Sequence, residues 1–163
     1  MFTIRPVNPD DAAQICRIYN PFVIHTDISF EVNPLTVRQM QARIALITES
    51  YPWFVAESAN GRISGFCYAH RWKGLSAYAR TLETTIYIEP EAKRQGIGRE
   101  LMKALEKECR YRGCKALIAC ITSTNRESIY FHKSLGFIQV SAFTGVATKF
   151  DRPLDVTDLQ LIL

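Results

Sequence analysis

The stretch LETTIYIEPEAKRQGIGRELMKALEKEC, Leu82–Cys109, decides how this chain is read. Its first part alternates, so Thr81–Glu89 reads as a long strand. Its last part is helical. Leu101, Met102, Leu105 and Cys109 share one face of a helix running from about Gly96 to Arg112, with Gly113 as its stop. At the junction stand Gly96 and Gly98 with Lys93, Arg94 and Arg99. Glycines there let the backbone approach a ligand, and the first N–H groups of a helix have no internal partners. The helix dipole adds partial positive charge, so phosphate suits the geometry. A Gly-rich turn with solvated basic side chains is the competing reading. A dinucleotide fingerprint lacks its third glycine, because Arg99, Glu100 and Leu101 follow Gly98. The nucleotide-triphosphate pattern GxxxxGK[ST] is absent.

Working outward, Thr3–Pro6 predicts a short first strand. Asn8-Pro9-Asp10-Asp11 predicts a helix start, with Asn8 as N-cap, Pro9 in the first turn and two acids beside it. Ala12, Ile15, Ile18 and Phe22 recur at helical spacing, and Pro21 marks the predicted end. Thr36 and Gln39 form a capping box for a second helix whose inner face is Val37, Met40, Ile44 and Ile47. HTDISFEVNP between them is a loop. Trp53–Ser58 and Ile63–His70 read as paired strands about a type I′ turn at Asn60-Gly61. RWKGLSAYAR is a loop. Lys115–Thr122 predicts a buried strand, Asn125–Leu135 a helix stopped by Gly136, and Phe137–Phe143 and Val156–Leu163 the last strands. The order is βααβββαβαββ, which implies a mixed α/β fold, with a central mixed sheet and helices on both faces.

The chain has 163 residues, the size of a single domain over 1–163. Its net charge of +4 suits an anionic small molecule as well as nucleic acid. Lysines and arginines are scattered rather than striped, which argues against nucleic acid. Five cysteines without a CxxC pair, and a start without a long apolar run, predict reduced thiols in a cytoplasmic protein. No apolar stretch has the length of a membrane span. His25, His70 and His132 lack metal-ligand spacing, so no metal is expected.

KRQGIG resembles the pyrophosphate-binding motif [QR]xxGx[GA] of the GCN5-related N-acetyltransferase (GNAT) superfamily, and the element order resembles that fold over nearly the whole chain. YPWFVAE, the WK and AY of RWKGLSAY, LETTIYIEP, NRESIYFHKSLGF and FDRPLDVTDLQL are similar to the phosphinothricin and methionine sulfoximine/sulfone acetyltransferases. Three positions depart from the pattern. Lys93 stands where the motif has Gln or Arg, Pro153 where these relatives often have Trp, and Ala79 near a position where some carry Arg.

The resemblance implies acetyl-CoA as cosubstrate. Its pyrophosphate would lie on backbone N–H groups of Arg94, Gln95, Gly96, Ile97, Gly98 and Arg99. Its pantetheine would pair with main-chain groups of Ile86, Tyr87 and Ile88, on a strand that splays from its neighbour. An N–H near Ile88 would hold the thioester oxygen. Asn125 either caps its helix or bonds the pantetheine, and Lys133 falls on the coenzyme side. Glu83 is the implied base. Half-burial in an apolar strand would raise its pKa, and an outward-facing strand Glu is the alternative. His132 is the implied acid near the coenzyme sulfur, and a packed helix histidine is the alternative. Phe30, Glu31, Arg71, Trp72, Lys73, Tyr78 and Lys149 fall on loops or strand ends that flank the amine in this family. Cations and aromatics suit a small amino acid analogue with anionic or polar head groups.

The implied function is acetyl transfer to the α-amine of a small amino acid analogue, in a ternary complex and commonly as a homodimer. Acetylation of a polyamine, an aminoglycoside or a protein N-terminus is the other enzyme reading. A non-catalytic coenzyme A-binding module is the reading of a different class, and the presence of both Glu83 and His132 argues against it.

Overall fold

The computed structural model describes all residues from Met1 to Leu163. Its elements are β1 (Phe2–Pro6), α1 (Ala12–His25), α2 (Val37–Thr48), β2 (Trp53–Ser58), β3 (Ile63–Arg71), β4 (Thr81–Ile88), α3 (Ile97–Tyr111), β5 (Ala116–Thr122), α4 (Arg126–Ser134), β6 (Ile138–Lys149) and β7 (Arg152–Ile162). This is the βααβββαβαββ order expected. The strands form one seven-stranded sheet in the order β1-β2-β3-β4-β5-β7-β6. The β4–β5 pair is parallel, whereas β1–β2, β2–β3, β5–β7 and β6–β7 are antiparallel. No helix is long and apolar enough to cross a membrane.

The chain falls into two compact units. The first comprises Met1–Asn20, Leu35–His70 and Thr85–Gly113; the second comprises Pro21–Pro34, Arg71–Thr84 and Cys114–Leu163. The backbone passes from one to the other inside β4, at Thr84–Thr85.

In the first unit, α3 buries Ile97, Leu101, Met102, Leu105 and Cys109, the apolar stripe its sequence predicts. Arg110–Glu106 and Arg112–Glu108 pairs at 2.8 Å line its outer side. Trp53 stacks on Tyr68 with ring centroids 4.2 Å apart, and Phe66 stacks on Tyr87 at 5.7 Å. Arg5 bridges Asp11 and Glu57, tying β1 to the turn before α1 and to β2.

In the second unit, β5 and β7 bury Leu117, Ala119, Ile121, Leu154 and Leu159, with Phe137 beside them. Thr122 Oγ1 donates to the Asp27 carbonyl at 2.6 Å, and Lys149 Nζ donates to the Ser29 carbonyl at 2.7 Å. These two bonds hold the irregular segment between α1 and α2.

Four local readings are corrected. Pro21 does not end α1, which continues to His25. Proline removes one helical N–H, and burial of Val23 in the added turn offsets that loss. Val37 is exposed rather than on the inner face of α2, because it is the helix's first residue. Asn60-Gly61 is not a type I′ turn. Gly61 N–H bonds to Ser58 O at 2.9 Å and Ser58 N–H to Arg62 O at 2.9 Å, and only Gly61 takes a positive φ. That is a three-residue hairpin with a glycine bulge. Finally, β6 and β7 form one long hairpin about Phe150-Asp151, whose φ values are 52° and 56°. Asp tolerates the left-handed conformation but Phe does not favour it, so only half of the usual turn signal marks the bend in the sequence.

Candidate active site

One group of candidate residues lies in the first unit, where β4 ends and α3 begins. A turn at Pro90–Ala92 leads into Lys93–Gly96, and α3 starts at Ile97. Gly96 has φ 82° and no side chain to cap the helix. No atom lies within 4 Å of a Cβ built on Gly96, so conformation rather than space demands glycine there. The first intrahelical bond runs from Glu100 N–H to Gly96 O at 3.2 Å. The N–H groups of Ile97, Gly98 and Arg99 precede it and have no intrahelical acceptor. Ile97 is buried and anchors the turn, while Arg94, Gln95, Gly96 and Arg99 are exposed. Arg94 itself takes φ 62°, a left-handed conformation that costs a non-glycine residue about 1–3 kcal/mol. Orphan donors, helix dipole and cations thus meet at one exposed turn, which fits a diphosphate.

Three features that sequence reasoning passed over pin this turn to the strand before it. Glu89, at the end of β4, is buried and accepts from Arg17 and Arg62, with Arg62 Nη2 at 2.6 Å. Its backbone N–H bonds to Ser64 O at 2.8 Å, and Arg17 Nη2 also donates to Ile63 O at 2.9 Å. Gly65 is required by contact: a Cβ there would lie 2.6 Å from Ile88 Cδ1 and 3.1 Å from the Tyr87 carbonyl oxygen. Tyr87 is wedged edge-on against Tyr19, with centroids 4.9 Å apart. A charged residue ending an apolar strand is the signal that could have revealed the Glu89 clamp, since such a charge needs a partner.

Another group of candidate residues lies in the second unit. Glu83 is half-buried on the first half of β4, opposite Ile118 of β5, in a parallel ladder recorded over Thr81–Glu83. Ile118 and Cys120 alternate onto one face of β5, and Asp158 of β7 is the partner of Cys120. Burial pushes the Cys120 thiol up to about 12, helped by the charges of Glu83 and Asp158 and by a hydrogen bond to Asp158. Cys120 therefore carries its proton at pH 7.

His132 lies on α4 with 3% of its surface exposed. Its Nδ1 is 2.8 Å from the Ser128 carbonyl oxygen, so Nδ1 carries the hydrogen and the neutral ring leaves Nε2 bare. The ring packs edge-on against Phe131 and Phe137. Burial lowers its pKa, and the bond to Ser128 O only partly opposes that. The ring is thus mainly neutral at pH 7, an acceptor at Nε2. Asn125 Oδ1 accepts from Ser128 N–H at 3.2 Å, so the capping role is present, while Lys133 is exposed on the same helix.

The side chains expected on the amine side separate into two groups. Trp72 and Tyr78 meet edge to face at 5.5 Å, and Lys73 Nζ lies 4.2 Å from the Trp72 ring centre. Arg71 is exposed on the same segment. Lys149 is buried instead. Burial lowers its pKa, opposed by Asp27 and Glu31, and its ammonium is tied to the Ser29 carbonyl. Phe30 is 40% exposed between Ser29 and Glu31.

Residues 4–157 match the family described as the acetyltransferase (GNAT) domain. The chain is 36% identical over 160 residues to a phosphinothricin N-acetyltransferase from Alcaligenes faecalis, covering 97% of this chain and 81% of that protein. It is 34% identical over 162 residues to the L-methionine sulfoximine/L-methionine sulfone acetyltransferase of Salmonella typhimurium, covering 99% of this chain and 94% of that protein. An acetyltransferase structure from Salmonella typhimurium with its cofactor acetyl-CoA superimposes with a TM-score of 0.95 at 33% identity, covering 100% of this chain and 94% of that chain. The match over residues 4–157 and these likenesses make the chain a member of the GNAT family of acetyltransferases.

Proposed function

We propose that the protein transfers the acetyl group of acetyl-CoA to the α-amine of a small amino acid analogue of the methionine sulfone, methionine sulfoximine or phosphinothricin type. The observation that carries this reading is the exposed turn that opens α3, where Gly96 takes φ 82° and the N–H groups of Ile97, Gly98 and Arg99 have no intrahelical acceptor beside Arg94 and Arg99. The likeness to relatives named for those acceptors supports the substrate class.

Acetyl-CoA supplies an activated acetyl thioester. The N–H groups of Ile97, Gly98 and Arg99, with Arg94 and Arg99 side chains beside them, hold the diphosphate. Main-chain groups of Ile86–Ile88 align the pantetheine, and a β4 N–H holds the thioester oxygen, where negative charge grows during acyl transfer. Glu83 takes the proton from the acceptor ammonium and frees its nitrogen lone pair. His132 acts as proton carrier toward the leaving sulfur. Nε2 must first take up a proton, and the lowered pKa makes the protonated ring scarce but a strong donor. In this reading the acceptor nitrogen attacks the thioester directly in a ternary complex.

The test is thiol release from acetyl-CoA in the presence of methionine sulfone, methionine sulfoximine or phosphinothricin. Glu83→Gln should lower kcat at neutral pH by about 10²–10⁴-fold, the usual worth of a positioned base. Release from none of these amines refutes the substrate class. Full activity of Glu83→Gln at every pH refutes the base.

A further inference from the structure

We infer that Lys149 is a positioning residue rather than a substrate ligand: its ammonium fixes residues 26–31 against the sheet, and that fixed segment, through Phe30, sets the affinity for the acceptor amine. The inference rests on the acetyltransferase reading above and deepens it.

Lys149 is 2% exposed, so it offers an acceptor almost no surface of its own. Its Nζ donates to the Ser29 carbonyl oxygen at 2.7 Å and lies 5.1 Å from the centre of the Phe150 ring. The charges of Asp27 and Glu31 favour the ammonium. A second anchor stands two residues earlier. Thr122 Oγ1 donates to the Asp27 carbonyl at 2.6 Å, and Thr124 Oγ1 donates to Asp27 Oδ2 at 3.1 Å. Within the segment, Ile28 N–H bonds to Thr26 Oγ1 and Glu31 N–H to Ser29 Oγ, both at 3.2 Å. Residues 26–31 belong to no helix or strand, so these side-chain bonds stand where a backbone ladder would otherwise fix the chain. Ser29 is buried by this arrangement, and its neighbour Phe30 is left partly exposed.

Strand register puts both anchors on one face of the sheet. Thr122 is the partner of Val156, and Lys149 is the partner of Arg152. Registered partners share a face, as do alternate residues of a strand, so Val156, Leu154 and Arg152 carry that face along β7 from one anchor to the other. Val156 and Leu154 are buried. Glu83 belongs to the same face through its partner Ile118, which precedes Thr122 on β5 by two alternations. At the usual strand rise that is about 13 Å along β5. An acceptor whose ammonium reaches Glu83, and whose side chain runs along β5 toward Thr122, comes under the anchored segment. Phe30 then supplies an apolar contact, and Lys149 acts on the acceptor only through the backbone it holds.

The experiment removes each anchor in turn. Lys149→Met keeps an unbranched side chain and deletes the ammonium, and Thr122→Val keeps the shape and deletes the hydroxyl. If loss of one anchor leaves the segment in its held arrangement about a tenth of the time, the apparent affinity for the amine falls about tenfold. The KM for methionine sulfone should therefore rise about tenfold in both variants. The KM for acetyl-CoA should stay as in the wild type, because the turn proposed to hold the diphosphate belongs to the first unit. Amide hydrogen exchange without substrates should quicken over residues 28–31 in both variants and stay unchanged over α3. An amine KM raised by Lys149→Met but not by Thr122→Val means that Lys149 meets the acceptor itself, and overturns the inference. So does unchanged exchange over residues 28–31, or a KM for acetyl-CoA that rises as much as that for the amine. Should Lys149→Met fail to fold, Thr122→Val decides alone by the same two readouts. Turnover of no amine by the wild type refutes the proposed substrate class and the acceptor half of this inference, and exchange still decides whether the anchors hold the segment.

Discussion

Replacing Glu89 by Gln tests whether the clamp at the end of β4 holds the cradle in place. Only 11% of the Glu89 side chain is exposed, and it accepts from Arg17 and from Arg62 Nη2 at 2.6 Å, with Arg62 Nε at 3.3 Å. Burial alone would raise the Glu89 pKa, but the two guanidiniums outweigh it and hold the carboxyl below its ordinary 4.5. Gln keeps the shape, loses the charge and turns an amide NH2 toward a guanidinium. A hydrogen bond to a charged group contributes about 1.5–3 kcal/mol. The arginine side chains are 41% and 57% exposed, so solvent screens the pair and the expected loss at pH 7 is about 1–3 kcal/mol. The sign of the pH dependence follows from the depressed pKa. The carboxylate stabilises the fold above the unfolded value of 4.5 and loses that contribution as pH falls through the lower folded value. Urea denaturation of both proteins should show a gap in stability that holds from pH 7 to about 5 and narrows only as pH falls below the unfolded value of 4.5. The KM for acetyl-CoA should rise a few-fold in the variant, because Glu89 stands between Ile88 and the Lys93–Arg99 turn. A gap that stays constant with pH, or no gap at pH 7, refutes the clamp.

Two further substitutions probe backbone demands. Gly65→Ala places a methyl 2.6 Å from Ile88 Cδ1 and 3.1 Å from the Tyr87 carbonyl oxygen. Overpacking of about 1–3 kcal/mol, less the 0.5–1 kcal/mol that Ala gains in a strand, leaves a net loss of about 0.5–2 kcal/mol. Denaturation should show that loss with a raised KM for acetyl-CoA, and a stabilised protein with unchanged KM contradicts the close approach of β4. Asp151→Gly relieves φ 56° in the β6–β7 turn. It should add about 0.5–1 kcal/mol and raise Tm by about 1–4 °C, and an unchanged or lower Tm argues against strain at that position.

What the sequence discloses and what it hides divide along the range of the interactions. Elements set by local period and caps were legible: the α3 stripe, the Thr36–Gln39 capping box and the alternating β4 all stand where their residues predict. Misread segments are those where tertiary burial overrides a local rule. Proline normally stops a helix, yet α1 carries Pro21 because the turn beyond it buries Val23. Phe150-Asp151 carries only the Asp half of a turn signature, yet the β6–β7 ladder bends there. The same division runs through the site. The proposed anion cradle is a local object, and its glycines and cations announce it. The Glu89 clamp joins residues 27 and 72 positions apart, and the Glu83–Cys120–Asp158 face exists only once β4, β5 and β7 are in register.

His132 shows why naming a residue differs from knowing its role. Its position in NRESIYFHKSLGF suggests an acid, and that suggestion needs a protonated ring. The carbonyl that orients Nδ1 lies one helical turn back, at Ser128, and is a local feature. What sets the charge is burial between Phe131 and Phe137, and that follows from packing α4 and the start of β6 together. A residue's chemistry in this family is therefore written in two places. The sequence supplies the functional group, and the fold decides which proton it carries at the pH of the reaction.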